Sequence, residues 1–89
     1  MKVRKRNGSI QDFSMDKIRL TLERVSDELN QPLTGSDLRL LAEGIERKII
    51  ATGKEIIDST EISEIVIEVL KRLGFSQVAK AYDEFDKIK

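Results

Sequence analysis

Cysteine and histidine are both absent from this sequence. Without cysteine there are no disulfide bridges, thiolate zinc sites or thiol nucleophiles, and without histidine the residue most often used as general base and metal ligand is missing. No apolar run approaches the roughly 18 residues that span a bilayer, and the charged start lacks the apolar stretch of a signal peptide. These absences predict a cytoplasmic protein that is not an enzyme and has no membrane partner.

Length and glycine content are also low. The chain has 89 residues, whereas a domain usually has about 100 to 200, so we predict one domain, residues 1–89. Its glycines are isolated and cannot form a glycine-rich phosphate loop. The sequence therefore predicts neither a large catalytic cleft nor a nucleotide-hydrolysing motif.

Charge is balanced overall but not along the chain. Sixteen basic and sixteen acidic residues give a formal net charge of 0, which argues against a binder driven by bulk charge. Residues 1–19 nevertheless hold six basic and two acidic side chains. This basic stretch is typical of a solvated edge strand, in which lysines discourage aggregation, and an anion site is the alternative.

The N-terminal segment has the pattern of a β-hairpin. Asn7 and Gly8 lie between two short segments, and Asn-Gly favours a two-residue turn because both positions tolerate a positive φ. Such a turn would place Val3 opposite Asp12, and a bulge would shift this register. Neither face is cleanly apolar, so the hairpin needs a further element to cover it.

Apolar residues then recur at helical spacing in four segments. The first follows Ser14, its natural N-cap, the second starts from a cap within residues 34–36, and the fourth begins at Ser76. Gly44 lies inside the second helix, where glycine costs about 1 kcal/mol relative to alanine. A close approach of another helix is a plausible reason for it.

Between the second and third helices, residues 54–57 are long enough for a short strand that joins the hairpin. Asp58 with Glu61 then has the pattern of a capping box, although Ser59 or Thr60 also fits the cap position. We therefore predict an α+β fold in which a small, about three-stranded β-sheet with an N-terminal hairpin caps a four-helix bundle.

Several residues of phosphate-binding type belong to this framework. Lys5 and Arg6 lie on the hairpin, Lys17 in the first turn of the first helix, and the hydroxyls of Ser59, Thr60 and Ser63 at the start of the third. Helix N-termini and basic side chains together suit a polyphosphate. Taken singly, each residue is equally typical of an exposed surface or a helix cap.

Order along the chain adds specificity. The sequence reads Val3-x-Lys5-Arg6-Asn7-Gly8, then Phe13, then Lys17-Ile18, then Ile57-x-Ser59-x-x-Ile62 and Val78-Ala79-x-Ala81-Tyr82-x-x-Phe85. This order closely resembles the ATP-cone, a regulatory domain at the N-terminus of many ribonucleotide reductase catalytic subunits and in the ribonucleotide reductase repressor. The resemblance covers essentially the whole chain. Its most specific part is the Lys-Arg-(Asp/Asn)-Gly turn followed by Lys-Ile.

The resemblance implies a domain that binds ATP or dATP, together with Mg²⁺, without hydrolysing it. Val3 and Ile18 match family positions that contact the apolar surface of the nucleotide. Lys5, Arg6 and Lys17 match the cations that bind its phosphates.

Further residues match family positions that contact other parts of the nucleotide or close the site. Gln11 and Ser14 match positions near the adenine, and Lys89 matches a late basic residue. The start of the third helix matches the segment that closes the site, through Ser59, Ile62 and Ser63.

Three positions depart from the family pattern. Gln11 stands where some members have glutamate, which bears on adenine selectivity. Asp83 stands where many have a basic residue, which bears on the number of phosphates bound. Asn7 replaces the commoner aspartate, and Asn-Gly suits the turn at least as well.

The resemblance also implies partners. We expect the domain to report the nucleotide state to a ribonucleotide reductase subunit or another regulated protein, and to form nucleotide-dependent homo-oligomers. Apolar stripes on the third and fourth helices include Ile65, Val69, Tyr82 and Phe85, which either bind a second copy or are buried within the monomer. With no cysteine, the chain has neither the repressor's zinc ribbon nor the reductase's radical-bearing cysteine, so a stand-alone cone and an excised domain both stay open.

A different class of function is the alternative. A small helical interaction module could use the basic N-terminal hairpin to bind a protein or nucleic acid. Phe13 is the sole aromatic residue near the basic stretch, so stacking platforms for single-stranded nucleic acid are lacking.

Overall fold

The computed structural model describes the backbone of residues 1–88 and the side chains of residues 1–86. Three short strands and four helices follow in the order β1 (Lys2–Arg4), β2 (Ile10–Asp12), α1 (Met15–Glu28), α2 (Gly35–Ala51), β3 (Ile56–Asp58), α3 (Ser59–Arg72) and α4 (Ser76–Ile88). This is the predicted α+β fold, with three strands and four helices. No helix in the described part of the chain is both long and apolar enough to cross a bilayer.

The sheet has the strand order β2-β1-β3. Strand β1 pairs with β2 in antiparallel and with β3 in parallel orientation, so Val3 lies opposite both Gln11 and Ile57. Directly opposed residues share a face of a sheet. The inner face therefore presents Val3 and Ile57 to the helices, where both are buried.

The hairpin register differs from the predicted one, because Val3 pairs with Gln11 and not with Asp12. The amide of Gly8 donates to the carbonyl of Lys5 over 2.9 Å, which closes a turn over residues 5–8. Gly8 has φ +89°, whereas Asn7 does not adopt a positive φ. The loop thus has three residues ending in a left-handed glycine, so the hairpin has the bulged turn, which was the alternative, and not the two-residue turn.

The N-terminus of α2 confirms the predicted cap within residues 34–36, whereas the capping box predicted for α3 is absent. At α2, Thr34 and Asp37 form a capping box, with hydrogen bonds of 3.0 and 3.1 Å between side chains and backbone amides. At α3, Asp58 occupies the N-cap position but makes no capping bond. Its carboxylate instead accepts from Arg4, because β3 pairs with β1 up to this residue, and Glu61 accepts from Lys54.

One core joins all four helices to the sheet, and its members are Val3, Ile18, Leu22, Val25, Leu38, Leu41, Ile45, Ile49, Ile57, Ile62, Ile65, Val66, Val69, Leu70, Val78, Ala79 and Tyr82. The helical periodicity therefore identified the buried faces correctly. Leu73, which continues the helical spacing of α3 after Val66 and Val69, is an exception, since it is 39% exposed where the last turn of the helix ends.

The apolar stripes of α3 and α4 face inward. Ile65, Val69 and Tyr82 are buried within the monomer, and Phe85 is partly buried against the same core. These residues therefore offer little surface to a second copy. The nucleotide-dependent homo-oligomer stays a prediction, and this surface is not a basis for it.

Candidate phosphate-binding cleft

A cleft of about 500 Å³ opens between the β1–β2 hairpin, the first turns of α1 and α3, and the C-terminal part of α4. Ten of the eleven residues predicted from the sequence line it: Val3, Lys5, Arg6, Gln11, Ser14, Lys17, Ile18, Ser59, Ile62 and Ser63. The other prediction, Lys89, lies outside the described residues. The fold thus brings together residues from two distant segments of the sequence, residues 3–18 and residues 59–63.

Two cations of the hairpin, Lys2 and Arg4, do not line this cleft. Lys2 forms an ion pair with Asp12, and Arg4 Nη1 lies 3.3 Å from Asp58 Oδ1, both on the outer face of the sheet. The hydrogen bond from Lys2, with its positive charge, holds the pKa of Asp12 below its usual range. These two cations already have anionic partners.

Lys5 and Lys17 line the cleft and remain available. Both side chains are exposed, and neither makes an ion pair or a hydrogen bond with a described residue. Lys17 lies in the first turn of α1, where unpaired amides and the helix dipole add positive potential. Two free ammonium groups therefore approach the cleft from two sides.

Arg6 is the third cation of the cleft, and it is already paired. Its Nη2 lies 2.8 Å from Asp86 Oδ2, and its Nη1 donates to the backbone carbonyl of Asp86 over 3.3 Å. Ser63 Oγ lies 2.8 Å from the same carboxylate oxygen, to which it can donate, and 3.1 Å from the carbonyl of Ser59. Asp86 thus joins the hairpin loop, α3 and α4 at one side of the cleft.

Two helix starts contribute polar groups. Ser14 is in the N-cap position of α1 with an extended backbone, and its side chain makes no capping bond. The N-cap of α3 likewise makes no side-chain bond to the first turn, which begins at Ser59. The amides of both first turns therefore lack a side-chain cap and can donate to an anion.

The apolar part of the cleft is formed by core side chains. Val3, Ile18, Ile62 and Tyr82 line it although each is only 6 to 8% exposed. Burial, followed by the negative charge of Asp86, raises the pKa of Tyr82 to about 12, so its hydroxyl is neutral near pH 7. The cleft thus combines an apolar base with a cationic rim.

Sequence reasoning missed several lining residues: Asn7, Ser9, Asp12, Phe13, Thr21, Tyr82 and Asp86. Thr21 follows Lys17 by one helical turn, and Asp86 follows Tyr82 by one turn, so helical spacing contained a signal for both. The contact between Asp86 and Arg6 had no such signal, since 80 positions separate them in the chain.

The fold is a small α+β domain with one cleft that is lined by cationic side chains, helix N-termini and apolar side chains. The model of the ATP cone domain family matches residues 1–89. The chain belongs to the ATP-cone family.

Curated relatives place the domain within longer proteins. The transcriptional repressor NrdR of Persephonella marina is 32% identical over 90 residues, which cover 98% of this chain and 58% of that protein. The NrdR of Leifsonia xyli is 31% identical over 91 residues, covering 99% and 57%. The NrdR of Halalkalibacterium halodurans is 34% identical over 87 residues, covering 94% and 56%. The chain thus spans a little over half the length of these relatives.

Proposed function

We propose that this chain is a non-catalytic sensor domain that binds ATP or dATP in the cleft and couples the bound nucleotide to a regulated protein. The observation that carries this proposal is the convergence on one cleft of ten residues matched to the family's nucleotide-binding positions. Its volume of about 500 Å³ lies within the range of about 300 to 1,000 Å³ typical of small-molecule sites.

The cationic rim suits the phosphates. Lys5 and Lys17 are free to bind phosphate oxygens, and the uncapped amides of α1 and α3 donate in the same region. Charge-assisted hydrogen bonds of this kind are stronger than neutral ones. A triphosphate supplies enough oxygens to engage both sides of the cleft at once.

The apolar base suits the nucleoside. Val3, Ile18 and Ile62 supply contact area for a flat ring. Gln11 shares the inner face of the sheet with Val3, and Ser14 keeps its hydroxyl free of a capping bond. These amide and hydroxyl groups can pair with the polar edge of adenine.

Magnesium would enter with the nucleotide. Mg²⁺ is usually held by substrate phosphates with one or two carboxylates and water. Two acidic residues belong to the described lining: the carboxylate of Asp86 pairs with Arg6, and that of Asp12 pairs with Lys2 on the outer face of the sheet. This donor set fits an ion held mainly by the phosphates.

The ion pairs argue against the alternative of a basic interaction hairpin. Lys2, Arg4 and Arg6 each contact a carboxylate. A surface that binds an acidic protein or a nucleic acid by charge needs unpaired cations in a row. Among the four hairpin cations only Lys5 is without an anionic partner in the described chain, so we favour the nucleotide site.

The names of the relatives support a proposal about what the domain regulates. They are named transcriptional repressors, and this chain spans a little over half of their length. We therefore propose that the nucleotide controls a repressor of this kind in the cytoplasm, through DNA binding or through oligomeric state. A ribonucleotide reductase subunit is the other partner that the ATP-cone family suggests.

Calorimetric titration tests the binding step. The chain is titrated with ATP, dATP, GTP and ADP, each with Mg²⁺ and each repeated with EDTA. We expect saturable binding of ATP and dATP and weaker binding of GTP and ADP. Equal affinity for GTP would contradict an adenine-selective site, and no heat with any nucleotide would contradict the proposal itself.

A further inference from the structure

One anion already occupies the cationic rim of the cleft, and it belongs to the protein. The Asp86 carboxylate lies 2.8 Å from both Arg6 Nη2 and Ser63 Oγ. Its side chain keeps only 26% of its surface exposed, while the Arg6 side chain keeps 47%. Two groups matched to nucleotide-binding positions are therefore engaged by α4.

A carboxylate and a phosphate compete for the same donors. Guanidinium and hydroxyl groups bind either through charge-assisted hydrogen bonds of similar length. Arg6 can turn toward a phosphate in the cleft only if its contact with Asp86 is weakened or lost. Lys5 and Lys17 carry no such restriction, because no described anion contacts them.

We propose that the Asp86 carboxylate competes with polyphosphate for Arg6 and Ser63. A bound nucleotide displaces Asp86 from these two residues. This inference rests on the proposed function of the cleft and adds a residue that sets its affinity. In the free domain, Arg6 and Ser63 are hydrogen-bonded to Asp86. In the bound domain, they are hydrogen-bonded to phosphate.

Displacement has a structural consequence for α4. The contact of Arg6 with Asp86 ties the hairpin loop to the last turns of α4, through both the carboxylate and the backbone carbonyl. Loss of that contact removes this link between the hairpin loop and α4. A ligand shifts such an equilibrium only by its difference in affinity for the two states, and here the difference arises at Arg6 and Ser63.

The test compares Asp86→Asn with Glu84→Gln. Both substitutions remove one negative charge from α4 with little change in shape, but Glu84 is exposed and does not line the cleft. Inorganic tripolyphosphate is the first probe, because it carries the phosphates without adenine. Binding is followed by calorimetry and by fluorescence of the single tyrosine, Tyr82, which lines the cleft.

We expect Asp86→Asn to bind tripolyphosphate and ATP about 3- to 30-fold more tightly than the unchanged chain, and Glu84→Gln to stay within about twofold. A gain of affinity is diagnostic, because a merely damaging substitution lowers it. Asp86→Ser, which removes the carboxylate with a smaller side chain, should show the same gain. Circular dichroism verifies that each variant is folded.

The other outcomes decide between the competitor role of Asp86 and the proposed nucleotide-binding function. Unchanged or weaker tripolyphosphate binding by both Asp86 variants overturns the competitor role. A loss confined to ATP with Mg²⁺ would instead make Asp86 a metal ligand, which also overturns it. If the unchanged chain binds no ATP but the Asp86 variants gain tripolyphosphate affinity, the proposed function fails while the competitor role stands. If no form binds tripolyphosphate, the competitor role fails, and the nucleotide titration alone decides the proposed function.

Discussion

Gly44 of α2 faces Val69 of α3 so closely that a β-carbon at position 44 would lie 3.3 Å from Val69 Cγ1. Val69 is buried in the core and cannot turn freely aside. The absence of a side chain at residue 44 therefore sets the distance between the two helices. This explains a glycine in the middle of a helix, where it costs about 1 kcal/mol of helix stability.

Replacing Gly44 by valine should lower the free energy of unfolding by about 1 to 3 kcal/mol, because an isopropyl group would be forced against the core. Gly35→Val is the control, since nothing lies within 4 Å of a β-carbon there. Chemical denaturation followed by circular dichroism measures both. Wild-type stability in Gly44→Val would mean that α2 and α3 can separate without cost.

Lys5→Ala and Lys17→Ala should each weaken triphosphate binding roughly 10- to 100-fold, because a charge-assisted contact contributes about 1.5 to 3 kcal/mol. Both side chains are exposed, so the fold should be unaffected. Lys80→Ala is the matched control, as this exposed lysine of α4 does not line the cleft. Equal affinities in all three variants would exclude the cleft as the phosphate site.

Incubation of the purified chain with ATP and Mg²⁺ should release no phosphate above background. The residues at the cleft are suited to binding an anion, and the sequence has no histidine or cysteine to act as base or nucleophile. A phosphate-release assay over hours measures this, with boiled protein as the control. Turnover that co-purifies with the chain through several columns would contradict a purely sensory role.

Tyr82 should titrate far above its ordinary range, because burial and the charge of Asp86 raise its pKa to about 12. It is the only tyrosine, and there is no tryptophan. Absorbance at the tyrosinate band therefore reports this one group. We expect a midpoint near 12 for the folded chain and near about 10 in denaturant, and a folded midpoint near the denatured value would contradict the burial of the hydroxyl.

The same pKa shift predicts how stability depends on pH. Below pH 10 the hydroxyl is protonated in both states, and above it the unfolded chain loses this proton first, so stability falls as pH rises toward 12. By pH 11 the loss due to Tyr82 should reach about 1 kcal/mol. Tyr82→Phe should lack this component, which urea denaturation of both proteins at pH 9 and pH 11 measures.

ATP and dATP should shift the chain between different oligomeric states, with dATP favouring the more associated or more inhibitory one by about 1 to 3 kcal/mol of coupling. Because Ile65, Val69 and Tyr82 are buried, any interface must use other residues. Light scattering at several protein concentrations, without nucleotide, with ATP and with dATP, measures the mass. One constant mass in all three conditions would mean that any signalling requires a partner chain.

Periodicity predicted the four helices well because burial of one helical face determines both pattern and packing. The Thr34 cap was equally accessible, since its partner Asp37 lies three residues away. Contacts between distant segments were not accessible. The pairs of Arg4 with Asp58 and of Arg6 with Asp86 depend on how β3 and α4 dock, which no local pattern encodes.

The predicted site depended on family resemblance more than on local physics. Spacing alone suggested that Lys5, Lys17 and Ser59 suit an anion, but it gave no reason for them to meet. The resemblance supplied the set that the fold brings to one cleft. It did not supply Asp86, whose significance lies in a side-chain contact and not in a motif.

The three-residue loop of the hairpin also determines which residues of β2 lie opposite β1. Cross-strand partners share a face, and a slip of one residue exchanges the whole set. With Gly8 in its left-handed conformation, an uncharged amide, Gln11, stands across from Val3. A loop one residue shorter would put the carboxylate of Asp12 there. The conformation of this turn thus determines which functional group of β2 lies opposite Val3, without a change in any residue of the strands.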